Sequence, residues 1–347
     1  MLVDSPSEER AATAAAPPTR RAARALGLLL CVAVLALAAL AGIAVGAKDL
    51  SLAQVWHGLF ENSGTYGDVV VDERLSRTVL GLLAGAALGL SGAVLQALTR
   101  NPLADPGILG INAGASAAVV TALTYFGVTS LSGYVWFAFL GAAAVGALVW
   151  FLGGSRGATP VRLALAGTAI SAALYGYLQA VMILDDAALG RMRFWTVGSL
   201  ASATDATIVQ VLPFVAAGTV LALLLARPLN ALAMGDDTAR ALGADLNRTR
   251  ALAMLAATLL CGAATAACGP IVFVGLMVPH AVRSFTGPDL RWIMPYAAVL
   301  SPVLLLGADI VGRIVARPAE VQVGVVTAII GGPVFILLVR RRRTAQL

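Results

Sequence analysis

The sequence predicts an all-α polytopic membrane protein of about ten transmembrane helices. Three observations carry that expectation. Charged residues are only 12% of the 347-residue chain and hydrophobic residues 59%, whereas soluble domains carry roughly 25% charged residues. Apolar stretches of about 20 residues, the length that crosses a bilayer as a helix, recur along the whole chain. Barrel strands would be shorter and would alternate in polarity.

The elements follow in order. Residues 1–24 read as a disordered cytoplasmic tail, rich in Ala, Pro, Thr and Glu at its start. Arg20 and Arg21 precede the apolar run Leu26–Ala44, which is longer than the roughly 7–15 residues of a signal-peptide core, so an uncleaved first span over 25–47 is expected. The second span, 74–98, carries Gly81, Gly85 and Gly89. Small residues at that spacing let helices approach closely, and ordinary tight packing is the preferred reading. The polar segment Arg100 to Gly107 holds two prolines and reverses the chain. Asp105 is expected to cap the next helix and Pro106 to fill its first position.

Further spans are expected over 107–126, 133–153, 161–184 and 206–226. Residues 227–248 form the longest cytoplasmic loop, expected to hold one or two short helices on the inner membrane face; Asp236, Asp237 and Thr238 offer caps for one of them, Ala239–Leu242, closed by Gly243. Spans over 249–268, 271–285, 294–313 and 324–339 complete the ten-helix transmembrane domain, 25–339, with Gly269-Pro270 breaking the chain before the eighth. A basic tail, 340–347, ends the chain.

Charge sets the orientation. With the N-terminus inside, 17 of the 24 Lys and Arg residues face the cytoplasm, so both termini are expected there. The outer minority is Lys48, Arg74, Arg77, Arg191, Arg193, Arg313 and Arg317. The basic balance marks cytoplasmic loops, and no nucleic-acid partner is inferred from it. Cys31, Cys261 and Cys268 lie in apolar runs and read as small buried hydrophobes with no disulfide and no metal. Gln96, Gln179, Asn112 and Ser116 lie within spans, where hydrogen bonds between helices are the favoured role and lining of a path the alternative. No phosphate-binding Gly-x-x-x-x-Gly-Lys-Ser/Thr occurs, so the chain is not expected to hydrolyse ATP.

A series of ordered motifs runs from residue 74 onward. They are Arg74-Leu75-Ser76-Arg77; Gly92 to Gln96 followed by Asn101-Pro102-Leu103-Ala104-Asp105-Pro106-Gly107; Arg162 to Gly167; Met234-Gly235 leading to Ala239-Arg240-Ala241-Leu242-Gly243; Gly269 to Leu276 running into Val278-Pro279-His280; Ala308 to Arg313, then Pro318-Ala319-Glu320; and Gly331-Gly332-Pro333. In this order they resemble the iron–siderophore and vitamin B12 permeases of ABC importers, the FecCD family. The first 73 residues match only in having one span.

The resemblance implies a type II importer permease fold of ten helices. It implies a second permease subunit, identical or related, two cytoplasmic ABC ATPases that bind ATP and Mg, and an extracytoplasmic substrate-binding protein. No cofactor is implied in this chain. It further implies that Arg74, Arg77 and Arg313 dock the binding protein through its glutamates. For Arg313 an ion pair with Asp309, four residues earlier, stands as an equal alternative. Gly235, Arg240, Leu242 and Gly243 carry the match of the ATPase-coupling loop. Asn101, Leu103, Thr159, Pro160 and Val161 match the cytoplasmic gate, although Pro160 and Val161 replace small hydroxyl residues of the vitamin B12 permease.

The cargo expected is a ferric siderophore, with vitamin B12 or haem as alternatives. Two rivals are weaker. A diphosphate-lipid enzyme would use Asp185-Asp186 and Asp236-Asp237, but the charge pattern sets those pairs on opposite faces. An ion-coupled secondary transporter would need an ionisable residue near mid-membrane, and Asp309 lies near the outer end.

Overall fold

The structure is a computed structural model and describes residues 19–48, 50–61, 64–128, 130–154 and 160–344. Among these the helices in chain order are α1 Thr19–Ala44, α2 Leu52–Phe60, α3 Tyr66–Leu98, α4 Ile111–Tyr125, α5 Leu131–Gly154, α6 Pro160–Leu184, α7 Asp186–Trp195, α8 Asp205–Leu224, α9 Ala226–Ala233, α10 Asp236–Ala241, α11 Leu246–Cys268, α12 Val274–Thr286, α13 Leu290–Val315 and α14 Val323–Thr344. A 3₁₀ turn, Pro106–Leu109, precedes α4. The ten expected spans correspond to α1, α3, α4, α5, α6, α8, α11, α12, α13 and α14. Seven of them are long and apolar enough to cross a membrane. The other three are α4 with 15 residues, α12 with 13, and α14, whose apolar part is Val323–Leu337.

Several boundaries differ from expectation for identifiable reasons. The helix expected from residue 74 starts at Tyr66, because Thr65 and Asp68 form a capping box that satisfies the first free N–H groups. Arg74 and Arg77 therefore lie more than two turns inside α3. Asp105 accepts from the Gly107 N–H at 2.8 Å and Pro106 follows it, but together they start the 3₁₀ turn. The α-helix begins only after Gly110, at φ 74°. The eighth span starts at Val274, because Phe273 adopts φ 71° and turns the chain there. The short loop helix runs from Asp236, not Ala239, with Gly235 at its cap and Gly243 at φ 80° just beyond its end. Two short helices, α2 and α7, were not expected.

α3 sits at the centre and packs against α13, α11 and α12. Its glycine stripe does what the spacing suggests. A Cβ at Gly85 would lie 2.5 Å from the Pro302 Cα, and one at Gly81 would meet Leu306. One end of the bundle carries Arg77 and Asp309, and the other carries Arg100 and Asp236. α1 lies at the edge against α13 and α3, with Leu26, Leu29, Leu30, Leu37 and Leu40 exposed, as on a lipid-facing surface.

Candidate functional site

The Arg77 end is organised around one carboxylate. Asp309, near the C-terminus of α13, is 1% exposed and accepts from Arg77 Nη2 at 2.7 Å and Nε at 3.1 Å. On its other side Arg313 Nη2 lies 3.1 Å from Oδ2. The i, i+4 spacing places that pair on one helix face. Arg313 is 2% exposed and also donates to the Gly42 carbonyl of α1 at 2.8 Å. Arg77 reaches out of the pair to Glu320 at 2.7 Å. Arg74 is buried and donates to the carbonyls of Ile43, Ala44 and Lys48. Arg317 donates to the Gly46 carbonyl at 2.6 Å.

The three arginines expected at a docking face thus converge on one place. Arg74 and Arg313 lie within it and Arg77 at its rim. All three border a recess of about 390 Å³, together with Lys48, Glu73 and Glu320. The pairing alternative for Arg313 is present in the structure. Glu320, the last residue of the Pro318-Ala319-Glu320 motif, closes the cluster. Its signal in the sequence was its place in that order of motifs, not its spacing to any basic residue.

The opposite end joins the expected gate turn to the expected coupling loop. Asn101 Oδ1 accepts from the Leu103 N–H at 3.0 Å and its carbonyl accepts from Ala104 at 3.1 Å, a local turn of the kind Asn favours. Asn101 is exposed and Leu103 half-buried. Arg100, just before them at φ 50°, donates from Nε to the Leu232 carbonyl at 2.9 Å and pairs with Asp236. Arg250 of α11 holds the second oxygen of Asp236 at 2.7 Å. Burial pushes the Asp236 carboxyl up, but the Arg250 and Arg100 guanidiniums outweigh it and hold it below the usual carboxylate range.

Leu242 is 63% exposed beyond α10, and Arg240 is exposed and pairs locally with Asp237 at 3.0 Å. A recess of about 610 Å³ opens beside them, bordered by Arg227, Pro228, Leu242, Gly243 and Arg248. Of the second gate turn, Thr159 lies outside the described residues, Pro160 begins α6, and Val161 is exposed on its first turn. Sequence reasoning missed Arg100, Asp236 as an ion-pair partner, and Arg250.

At the same end Asn230 of α9 donates to Asp289 at 2.7 Å and accepts from the Leu290 N–H at 2.9 Å. Hydrogen bonds from Arg291, and then from Asn230, hold Asp289 down at about 2.

The polar residues within the spans divide. Gln96 Nε2 donates to the carbonyls of Gly275 and Leu276 at 3.3 and 3.0 Å, joining α3 to α12. Asn112 Oδ1 accepts from Thr265 at 2.9 Å and from the Cys261 thiol at 3.5 Å, joining α4 to α11. Ser116 bonds back to the Asn112 carbonyl, and Gln179 lies on the exposed face of α6. Asp185 caps α7 through the Ala187 and Ala188 N–H groups, at the end of the bundle away from Asp236. The two carboxylate pairs of the lipid-enzyme rival therefore cannot form one site. Among the described residues no group of three or more His, Cys, Asp or Glu could hold a metal ion.

Comparison with known proteins places this geometry. The model of the FecCD transport family matches residues 32–341, so the resemblance starts within α1 and not at residue 74. The chain is 46% identical to the ferric enterobactin transport system permease protein FepD of Escherichia coli, covering 93% of this chain and 96% of that one. It is 40% identical to the Fe(3+)-citrate import system permease protein YfmD of Bacillus subtilis, over 88% and 91% of the two chains. Among solved structures, an inward-facing metal-chelate type ABC transporter superposes with a TM-score of 0.80 at 28% identity, covering 92% of this chain and 99% of that one.

Proposed function

The chain belongs to the FecCD transport family and is a permease of ABC importers for iron siderophores, haem or vitamin B12, and we propose that its own cargo is a ferric siderophore. The observation that carries this reading is the near full-length likeness to the ferric enterobactin permease. The likeness to a ferric citrate permease supports the narrower class of ferric chelates.

In this reading the Arg100 end faces the cytoplasm, as the excess of basic residues there favours, and both termini lie on that side. The Arg77 end receives the binding protein. Arg77 stands at the rim of the docking face, and Arg74 and Arg313 lie behind it. Exposed charge there steers encounter and fixes register more than it adds affinity. At the cytoplasmic end Leu242 and Arg240, set between Gly235 and Gly243, meet the ATPase. Asn101 and Leu103, with Thr159, Pro160 and Val161, form the gate. Two ATPase subunits bind ATP and Mg and supply the energy, and a second permease subunit completes the path.

The test is uptake into liposomes holding the permease, its ATPase and its binding protein, supplied with radioiron-loaded siderophore, ferric citrate, haem or cyanocobalamin. ATP-dependent accumulation of a siderophore-bound iron is expected. Accumulation of haem or cobalamin alone would overturn the cargo assignment. Uptake driven by an ion gradient without ATPase would overturn the importer reading.

A further inference from the structure

The carboxylate of Asp236 stands where three parts of the chain meet at the cytoplasmic end. Asp236 opens α10, inside the loop that the proposed function gives to the ATPase. One oxygen takes the Arg100 guanidinium and the other takes Arg250 of α11. Arg100 also holds the last turn of α9 through the Leu232 carbonyl. Its backbone, at φ 50°, closes α3 in the left-handed turn common at helix ends, with the Asn101 N–H on the Gln96 carbonyl at 3.2 Å.

From Arg100 the chain runs directly into the gate turn, where Asn101 fixes the N–H groups of Leu103 and Ala104 and Asp105 fixes that of Gly107. One turn earlier on α3, Gln96 holds the first carbonyls of the α12 region. An unbroken set of hydrogen bonds thus leads from the coupling loop to the gate turn and to the start of α12.

We propose that the Arg100–Asp236 pair is the joint that passes movement of the coupling loop to the gate turn, with Arg250 as its fixed anchor on α11. The proposal rests on the importer reading and assigns Asp236 as a positioning residue that acts through Arg100. Its exposure separates this role from plain stabilisation. Arg100 and Asp236 are 35% and 34% exposed, and pairs that wet contribute little to folding. Asp236 also suits the N-terminus of α10 through the helix dipole, but a dipole role alone would not bring Arg100 and Arg250 onto its two oxygens.

The test uses the permease reassembled in liposomes with its ATPase and binding protein, carrying Asp236→Asn, Arg100→Gln, both changes, or Asp236→Glu. ATP hydrolysed and iron chelate accumulated are measured in the same vesicles, with ATPase co-purification as a third readout. The expected result is that Asp236→Asn and Arg100→Gln retain assembly and hydrolysis while cargo carried per ATP falls roughly tenfold, within the usual range of coupling between sites. The double variant should be no worse than either single one, and Asp236→Glu should recover most of the ratio. An unchanged ratio would overturn the proposal. So would parallel loss of transport, hydrolysis and co-purification, which would mark Asp236 as part of the ATPase contact. If the unaltered permease carries no cargo with ATP, the importer reading fails and this proposal with it.

Discussion

Replacing Asp309 by Asn tests whether the buried charge cluster holds α3 to α13. The carboxylate accepts three hydrogen bonds from Arg77 and pairs with the Arg313 guanidinium. After the change Arg77 keeps Glu320 and Arg313 keeps only the Gly42 carbonyl. The Arg313 Nε is already buried without a partner, so this side chain has little reserve. Counting about 0.6 kcal/mol for each hydrogen bond lost between helices in a membrane gives ~2 kcal/mol as a lower bound. Leaving a buried charge without its partner costs roughly 3–5 kcal/mol. A loss of about 3 kcal/mol is expected, which is roughly 150-fold in the folding equilibrium.

The assay is unfolding of the purified permease by SDS in mixed micelles. The double variant Asp309→Asn with Arg313→Gln should recover at least half of the loss, because the uncompensated cation is gone. A single-variant loss below about 0.5 kcal/mol, the size of an ordinary surface change, would refute the reasoning. So would a double variant that loses as much as the two single ones added.

Gly92→Ala should destabilise by about 1–3 kcal/mol, since the new Cβ would meet the backbone of Gly275, including its carbonyl carbon at 2.5 Å. Gly307→Ala, with nothing within 4 Å, should be neutral or stabilising in the same SDS titration. For Asp289 the folded pKa of about 2 lies below the ordinary aspartate value of 3.8, so its contribution is full above 3.8 and is lost as pH falls towards 2. Unfolding followed between these pH values should show a decline in the unaltered permease that Asp289→Asn lacks. Leu242→Glu should cut ATPase co-purification by roughly tenfold, as loss of an exposed apolar anchor does at an interface, while leaving SDS stability unchanged.

The spans were legible because length and apolar content suffice for them. What escaped was shorter or more polar. α2 and α7 have 9 and 10 residues, and in α7 Asp186, Arg191 and Arg193 interrupt the apolar positions. The first two turns of α3 read as loop because of Asp68, Asp72 and Glu73, although the Thr65–Asp68 capping box was present in the sequence. Of the charge cluster, Arg313 with Asp309 was legible because four residues on a helix bring side chains together. Arg77 with Asp309 was not, because 232 residues separate them and no local rule pairs them. Asp236 was read as a cap, but Gly235 takes that position, and Asp236, the first residue of α10, spends its carboxylate on Arg100 and Arg250.

The two missed ion pairs share a logic that neither shows alone. Arg77 lies towards the start of α3 and Arg100 just past its end, and each is held by a carboxylate from a distant part of the chain, Asp309 of α13 and Asp236 of α10. At the helical rise per residue these arginines are roughly 35 Å apart, about the thickness of the hydrocarbon core with a little to spare. Between them Gly85 and Gly92 press backbone against backbone on Pro302 and Gly275, contacts that leave no side chain to bend and absorb a displacement. Packed interiors move as units and not by continuous deformation. α3 is therefore expected to move as one rod together with the parts of α13 and α12 it presses on. A push delivered at Asp236 should then disturb the Arg77–Glu320 pair at the far end, where a binding protein would dock. If that is how the two faces communicate, Asp236→Asn should weaken the ATP-dependent change in binding-protein affinity while leaving the affinity without ATP unaltered. An equal effect on both would mean that α3 bends and that the two ends act separately.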